Sequence, residues 1–140
     1  MSFNKKEVLI IGTVKSKPAM LCLAELLNKH NIMYRRPVTD FIESNFLQTE
    51  MFLLAVVFGD IHRSANSISL QAEISKVTYI REMKFGGLII YLTKYADSIE
   101  EQIMADPKSG DILLLKPLFQ GNQIINLEQI VEIIKAKMGG

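Results

Sequence analysis

Apolar residues fall in two patterns along this chain, short unbroken runs and longer stretches of three- and four-residue spacing. Residues 8–11, Phe52–Phe58, Leu88–Leu92 and Ile112–Leu115 are runs of four to seven apolar side chains without alternation. They are too short for an amphipathic helix and are closed by Gly12, by Gly59 and Asp60, by Thr93, and by Lys116 and Pro117. Such runs read as strands buried on both faces, the signature of a parallel sheet covered by helices. Residues 32–34 form a weaker strand running into Arg35, Arg36 and Pro37. That strand suits a sheet edge, where charge and proline discourage further pairing.

Between the runs the spacing is helical. Met20, Leu23, Ala24 and Leu27 lie on one stripe, with Pro18 in the first turn, where a missing N–H is tolerated. Asp40 with Glu43 is a capping-box signature opening a helix through Phe46 and Leu47. Leu70, Ile74, Val77 and Ile80 define a third stripe; Ser98 with Glu101 marks a fourth helix. Asn126 with Gln129 opens a last helix carrying Leu127, Ile130, Val131 and Ile134, and the tail from Met138 to Gly140 is expected to fray. Five strands alternating with five helices predict an α/β fold, a doubly wound five-stranded parallel sheet in a three-layer sandwich. Neither a repeat nor a linker interrupts it, and 140 residues make one domain, 1–140.

Charge and composition narrow the function. Sixteen Lys and Arg against fifteen Asp and Glu leave a formal charge of +1, without the field that draws a chain onto nucleic acid or anionic lipid. Neither nucleic acid nor membrane is an expected partner. The chain opens with Met1 and is charged by Lys5, and no apolar run approaches 18 residues, so neither a secretory signal nor a membrane span is expected. A single cysteine makes no internal disulfide, and a reduced, cytoplasmic setting is the default. Cys22, among Leu21, Leu23 and Ala24, reads as a small buried hydrophobe. Two histidines and one cysteine assemble no zinc-type cluster; His30 is placed to meet the terminal carbonyls of the first helix.

Chemistry in a parallel sheet gathers outside the carboxyl ends of the strands, where the strand order reverses. There the chain places Gly12 and Thr13, then Asp60, Thr93 and Lys116. A carboxylate, a hydroxyl and an ammonium at neighbouring strand ends can make a phosphoryl-accepting constellation, or no more than an ion pair.

Residues 59–74 and 89–117 resemble the second half of a response-regulator receiver domain from two-component signalling, a flavodoxin-like fold. The resemblance is specific over about the last 80 residues; the first half shares element order only. It implies that Asp60 is the phosphoacceptor, that Thr93 hydrogen-bonds the phosphoryl group, and that Lys116, followed by Pro117, pairs with it. Receivers also carry two adjacent acids after the first strand that hold Mg²⁺. Here Gly12 and Thr13 stand in those places, and neither supplies the carboxylate oxygens a hard cation favours. Without the cation, phosphoryl transfer to a carboxylate is expected to be slow. The expectation is therefore no cofactor, with Mg²⁺ admissible only if the pocket departs from this pattern. Lys15 and Lys17 follow in the same loop and Lys94 follows Thr93, so their ammonium groups invert the pocket's charge if they reach it. The aromatic that often accompanies the Thr on the fifth strand is replaced by Leu113, Leu114 and Leu115.

These residues predict a non-enzymatic, degenerate receiver acting through protein contacts, with Asp60 paired to Lys116 or Lys94. Its expected partner is another signalling protein, a histidine kinase or a downstream target, and a homodimer is admissible. By resemblance the docking face spans about residues 98–137. Three other readings stay open. One is a fully phosphorylatable stand-alone receiver with Asp60 as acceptor. Another is a small-ligand or nucleotide-binding domain using the loop 12–17, although that loop lacks the second Gly of a Walker A motif. The last is an enzyme with Asp60 as catalytic carboxylate, for which only His62 offers an acid or base partner.

Overall fold

The computed structural model describes residues 7–36, 52–62, 70–82 and 85–139. Five parallel strands form the central sheet: β1 (Glu7–Ile11), β2 (Tyr34–Arg35), β3 (Phe52–Phe58), β4 (Leu88–Leu92) and β5 (Ile112–Leu115). Their order is β2-β1-β3-β4-β5, so the chain winds outward from β1 to one edge, returns, and builds the other half from β3. This is the doubly wound, flavodoxin-like order, with its switch point between β1 and β3. The four apolar runs become the four longer strands, and β3 has the bounds its run predicts.

Four α-helices lie in the described residues, α1 (Lys17–Lys29), α2 (Leu70–Glu82), α3 (Ala96–Ala105) and α4 (Leu127–Gly139), with single 3-10 turns at Val14–Ser16 and Pro107–Ser109. The helix expected from Asp40 lies outside them. Because neighbouring strand residues point to opposite faces, the sheet feeds two separate cores. Val8, Ile10, Val56, Phe58, Ile90 and Leu92 pack with Leu23 and Leu27 of α1 and Ile130 and Ile134 of α4. Leu9, Ala55, Val57, Ile89 and Tyr91 pack with Val77 and Ile80 of α2 and Ile99 and Ile103 of α3. The layers are therefore helices, sheet, helices.

Several local expectations need correction. The edge strand is Tyr34–Arg35 rather than 32–34, because Ile32 is used to stop α1. Asn31 takes a left-handed φ of 58°, and the N–H of Ile32 donates to Leu27 O at 2.8 Å while that of Asn31 donates to Asn28 O at 3.0 Å. This is a Schellman stop with asparagine in the usual glycine position. His30 is the C-cap through its backbone N–H. Helix α3 starts at Ala96, not at a Ser98 cap, since Thr93 Oγ1 accepts from Tyr95 N–H at 3.2 Å and begins the turn earlier. Asn126 does not use its side chain as a cap. Its Oδ1 accepts from Leu118 N–H and its Nδ2 donates to Lys116 O, tying down the connection after β5. Helix α4 continues through Met138 to Gly139. Cys22 is exposed; it stands beside the Met20, Leu23, Ala24 and Leu27 stripe rather than on it.

A short antiparallel hairpin, β6 (Phe119–Gln120) and β7 (Gln123–Ile124), has no counterpart in the sequence reading. Its turn is Gly121-Asn122 with Gly121 at φ 64°. A Gly-Asn pair between short segments is a two-residue hairpin signal, so this element was within reach.

Candidate functional site at the ends of the third and fourth strands

Backbone bonds continue past the strand ends and draw the candidate residues side by side. Gly59 N–H donates to Leu92 O, Thr93 N–H to Leu115 O, and Lys94 N–H to Asp60 O, at 2.8, 2.9 and 2.8 Å. Asp60 and Thr93 thus become neighbours, as expected. Lys116 does not join them: its ammonium lies 3.8 Å from Asp97 Oδ2, with side chains 58% and 85% exposed. Beyond β5 the chain turns at buried Pro117 toward the hairpin, leaving Lys116 on the surface.

Asp60 is 3% exposed. Its Oδ1 accepts from His62 N–H at 3.1 Å. Lys94 brings its ammonium to 3.4 Å from Oδ2 and also sits 5.2 Å from the centre of the Tyr95 ring. Of the two lysines considered for Asp60, Lys94 is the one that pairs with it. The approach is an ion pair rather than an aligned hydrogen bond, since Oδ2 is buried without a hydrogen-bond donor.

Thr93 does not turn its hydroxyl to the Asp60 carboxylate. It donates to Glu73 Oε1 at 2.5 Å, with Asp60 O at 3.4 Å as a weaker contact. Glu73 on α2 is completely buried and is the residue the sequence reading missed. Its Oε1 also accepts Asp60 N–H at 2.9 Å, and its Oε2 meets Lys76 Nζ at 2.8 Å. Burial alone raises the Glu73 pKa, but the bonds from Lys76, Thr93 and the Asp60 N–H, with the Lys76 charge, hold it below the ordinary range. Tyr91 is buried beneath, its hydroxyl donating to Glu73 O at 3.0 Å. Burial, followed by the nearby Glu73 and Asp60 charges, pushes the Tyr91 phenol well above its usual pKa, so it stays neutral.

Two glycines make this packing possible. A Cβ on Gly59 would overlap the Tyr91 ring and lie 2.5 Å from Glu73 Oε1. A Cβ on Gly12 would lie 2.5 Å from Ser16 Oγ and 2.7 Å from Met20 Sδ. The second point bears on the metal that receiver resemblance implies: a side chain at the first of the two acidic places would have to displace Ser16 and Met20. The nearby carboxylate, Asp60, already faces an ammonium. Among the described residues no three His, Cys, Asp or Glu side chains come together. The residues do not fit an all-oxygen Mg²⁺ site.

The loop after β1 is also closed on itself. Thr13 N–H donates to Ser16 Oγ at 2.9 Å, and the Ser16 hydroxyl donates back to Thr13 O at 2.9 Å. This uses a backbone donor that a phosphate cradle needs. Lys15 and Lys17 are exposed, and Lys15 borders a cleft with Ile61 and His62. Tyr95 is half-buried against the α2 and α3 core.

Fold and site together define a parallel α/β domain with a buried polar cluster at the carboxyl edge of its sheet. No family model matches the chain, and no curated protein or solved structure is significantly similar to it. Among the described residues no helix is long and apolar enough to cross a membrane.

Proposed function

We propose that this chain is a receiver-like signalling domain of the degenerate kind, cytoplasmic and non-enzymatic, which acts through contacts with another signalling protein. The observation that carries this reading is the Glu73 carboxylate. It takes the Thr93 hydroxyl and the Asp60 N–H, donors adjacent to the acceptor candidate, while Lys94 neutralises Asp60 itself. An internal carboxylate thus holds the hydroxyl that a phosphoryl group would attract, and an ammonium takes the place of the cation. A flexible ammonium supplies charge but not the fixed coordination that aligns an in-line displacement. The reading of a fully phosphorylatable receiver therefore ranks second, and the crowding at Gly12 counts against it.

Incubation with Mg²⁺ and acetyl phosphate, with Asp60→Asn as control, is expected to give no Asp60-dependent phosphoryl adduct by intact mass. A stable adduct absent from D60N would overturn the degenerate reading. The contact-based part has its own measurement. Releasing Thr93 by Glu73→Met, which removes both acceptor oxygens, should shift backbone amide resonances along residues 98–137, the face that docks partners in receivers, with the fold intact. Shifts confined to the immediate neighbours of residue 73 would remove the case for signalling through that face.

A further inference from the structure

A cleft of about 550 Å³ opens at the carboxyl edge of the sheet, on the side covered by α1 and α4. Its walls come from four places: the start of α1, the residues after β3, the β6–β7 hairpin, and Leu127 at the start of α4. It lies by the β1/β3 switch point, where open parallel sheets bind ligands, and its volume falls in the range of small-molecule sites. Pro18, Ile61, Ile124 and Leu127 make it largely apolar, and Phe119 adds an aromatic wall. Lys15, which makes no ion pair among the described residues, and His62 both belong to the lining. Among the described residues no acidic side chain lines the cleft, and the amides of Asn122 and Gln123 supply further polar groups.

An apolar slot whose described lining holds a cation and two amides and no carboxylate suits an anion with an apolar body. We propose that the cleft binds a small organic anion, a single acidic head on a flat apolar body, with Lys15 holding the head and Phe119 and Ile61 enclosing the body. The site differs from a phosphate cradle of loop backbone, since Ser16 already occupies the Thr13 N–H. It is also independent of Asp60 phosphorylation, so neither outcome of the acetyl phosphate experiment decides it.

Cys22 provides a direct reporter, being the chain's single cysteine, exposed, and part of the cleft lining. The probe is 1-naphthyl phosphate, compared with 1-naphthol and with inorganic phosphate; the readouts are the rate of Cys22 alkylation by iodoacetamide and the amide resonances of His62 and Phe119. The phosphate ester is expected to slow alkylation and shift both resonances at concentrations where neither half-molecule does. Lys15→Glu, on an exposed side chain, should weaken the ester by more than about tenfold, the size of one charge-assisted contact. Lys15→Gln should give an intermediate loss. Unchanged resonances and alkylation at millimolar ester would overturn the proposal. So would naphthol acting as well as its phosphate, or K15E binding the ester as the native chain does.

Discussion

Glu73 is the residue on which the site turns. A fully buried carboxylate is tolerated only if its oxygens are met, and here three donors meet them. Its native pKa lies below the ordinary 4.5, so the native state binds this proton less readily than the unfolded chain. The stability it contributes is complete above that ordinary value and is lost as pH falls through the lower native one. Glu73→Gln should cost about 1 to 3 kcal/mol near neutrality, because Lys76 then faces a partner without charge. It should also flatten the acid limb of a plot of urea-unfolding free energy against pH. An acid limb as steep as that of the native chain would show that Glu73 is not the titrating group.

Gly59 is equally constrained for a steric reason. Tyr91 and Glu73 are both buried and close above its α-carbon; Tyr91 cannot swing away without breaking its bond to the Glu73 carbonyl, nor the Glu73 carboxylate without losing the Asp60 N–H and the Thr93 hydroxyl. Gly59→Ala is expected to lose about 1 to 3 kcal/mol, the usual cost of overpacking, measured by chemical denaturation. Gly121→Ala is no spatial control, because the positive φ there strains any L side chain; Gly86→Ala, which meets open space, is the better one.

Among the elements, α2 does more than cover the sheet. Near its end Arg81 reaches the opposite edge from the Asp60 cluster and donates to four carbonyls: Ser109, Phe85, Gly87 and Asp111, at 2.7, 2.8, 2.7 and 3.0 Å. These lie on the segments leading into β4 and β5, so one guanidinium pins α2 to both strand entries. Gly110 passes under it at φ 66°, where a Cβ would come within 2.9 Å of the guanidinium. Arg81→Met should destabilise by about 2 to 3 kcal/mol, since charge-assisted bonds are lost and only exposed carbonyls regain water. Arg81→Lys, lacking the planar fork, should recover less than half of that in the same denaturant titration. Full recovery by lysine would mean that the charge, not the fork, matters.

Elements were legible in proportion to how far their cause is local. The run at Phe52–Phe58 and the stripe from Met20 to Leu27 depend on apolar residues at fixed spacing, which burial must satisfy wherever the element docks. The Ser98 cap failed because Thr93, fixed by its own place at the end of β4, started the turn first. Cys22 failed because one helical step off an apolar stripe is enough to reach the surface. Arg81 looks like any polar residue near a helix end, and nothing in its neighbours announces carbonyls up to 30 positions away.

For the whole molecule, two cores on either side of one sheet explain why the four longer strands, apart from Glu7 at the start of β1, are built of apolar runs. The sequence by itself determined the alternation of strands and helices, the parallel sheet, and the meeting of Asp60 with Thr93 at neighbouring strand ends, because period and run length follow from backbone geometry. Tertiary structure alone decided which partners those side chains take. Whether Asp60 meets Lys94 or Lys116, and whether the Thr93 hydroxyl faces Asp60 or Glu73, depends on the direction of each Cα–Cβ bond once helices are docked. Glu73 enters from α2, thirteen positions beyond Asp60, and only the packing of that helix on the sheet carries its carboxylate beneath the strand ends.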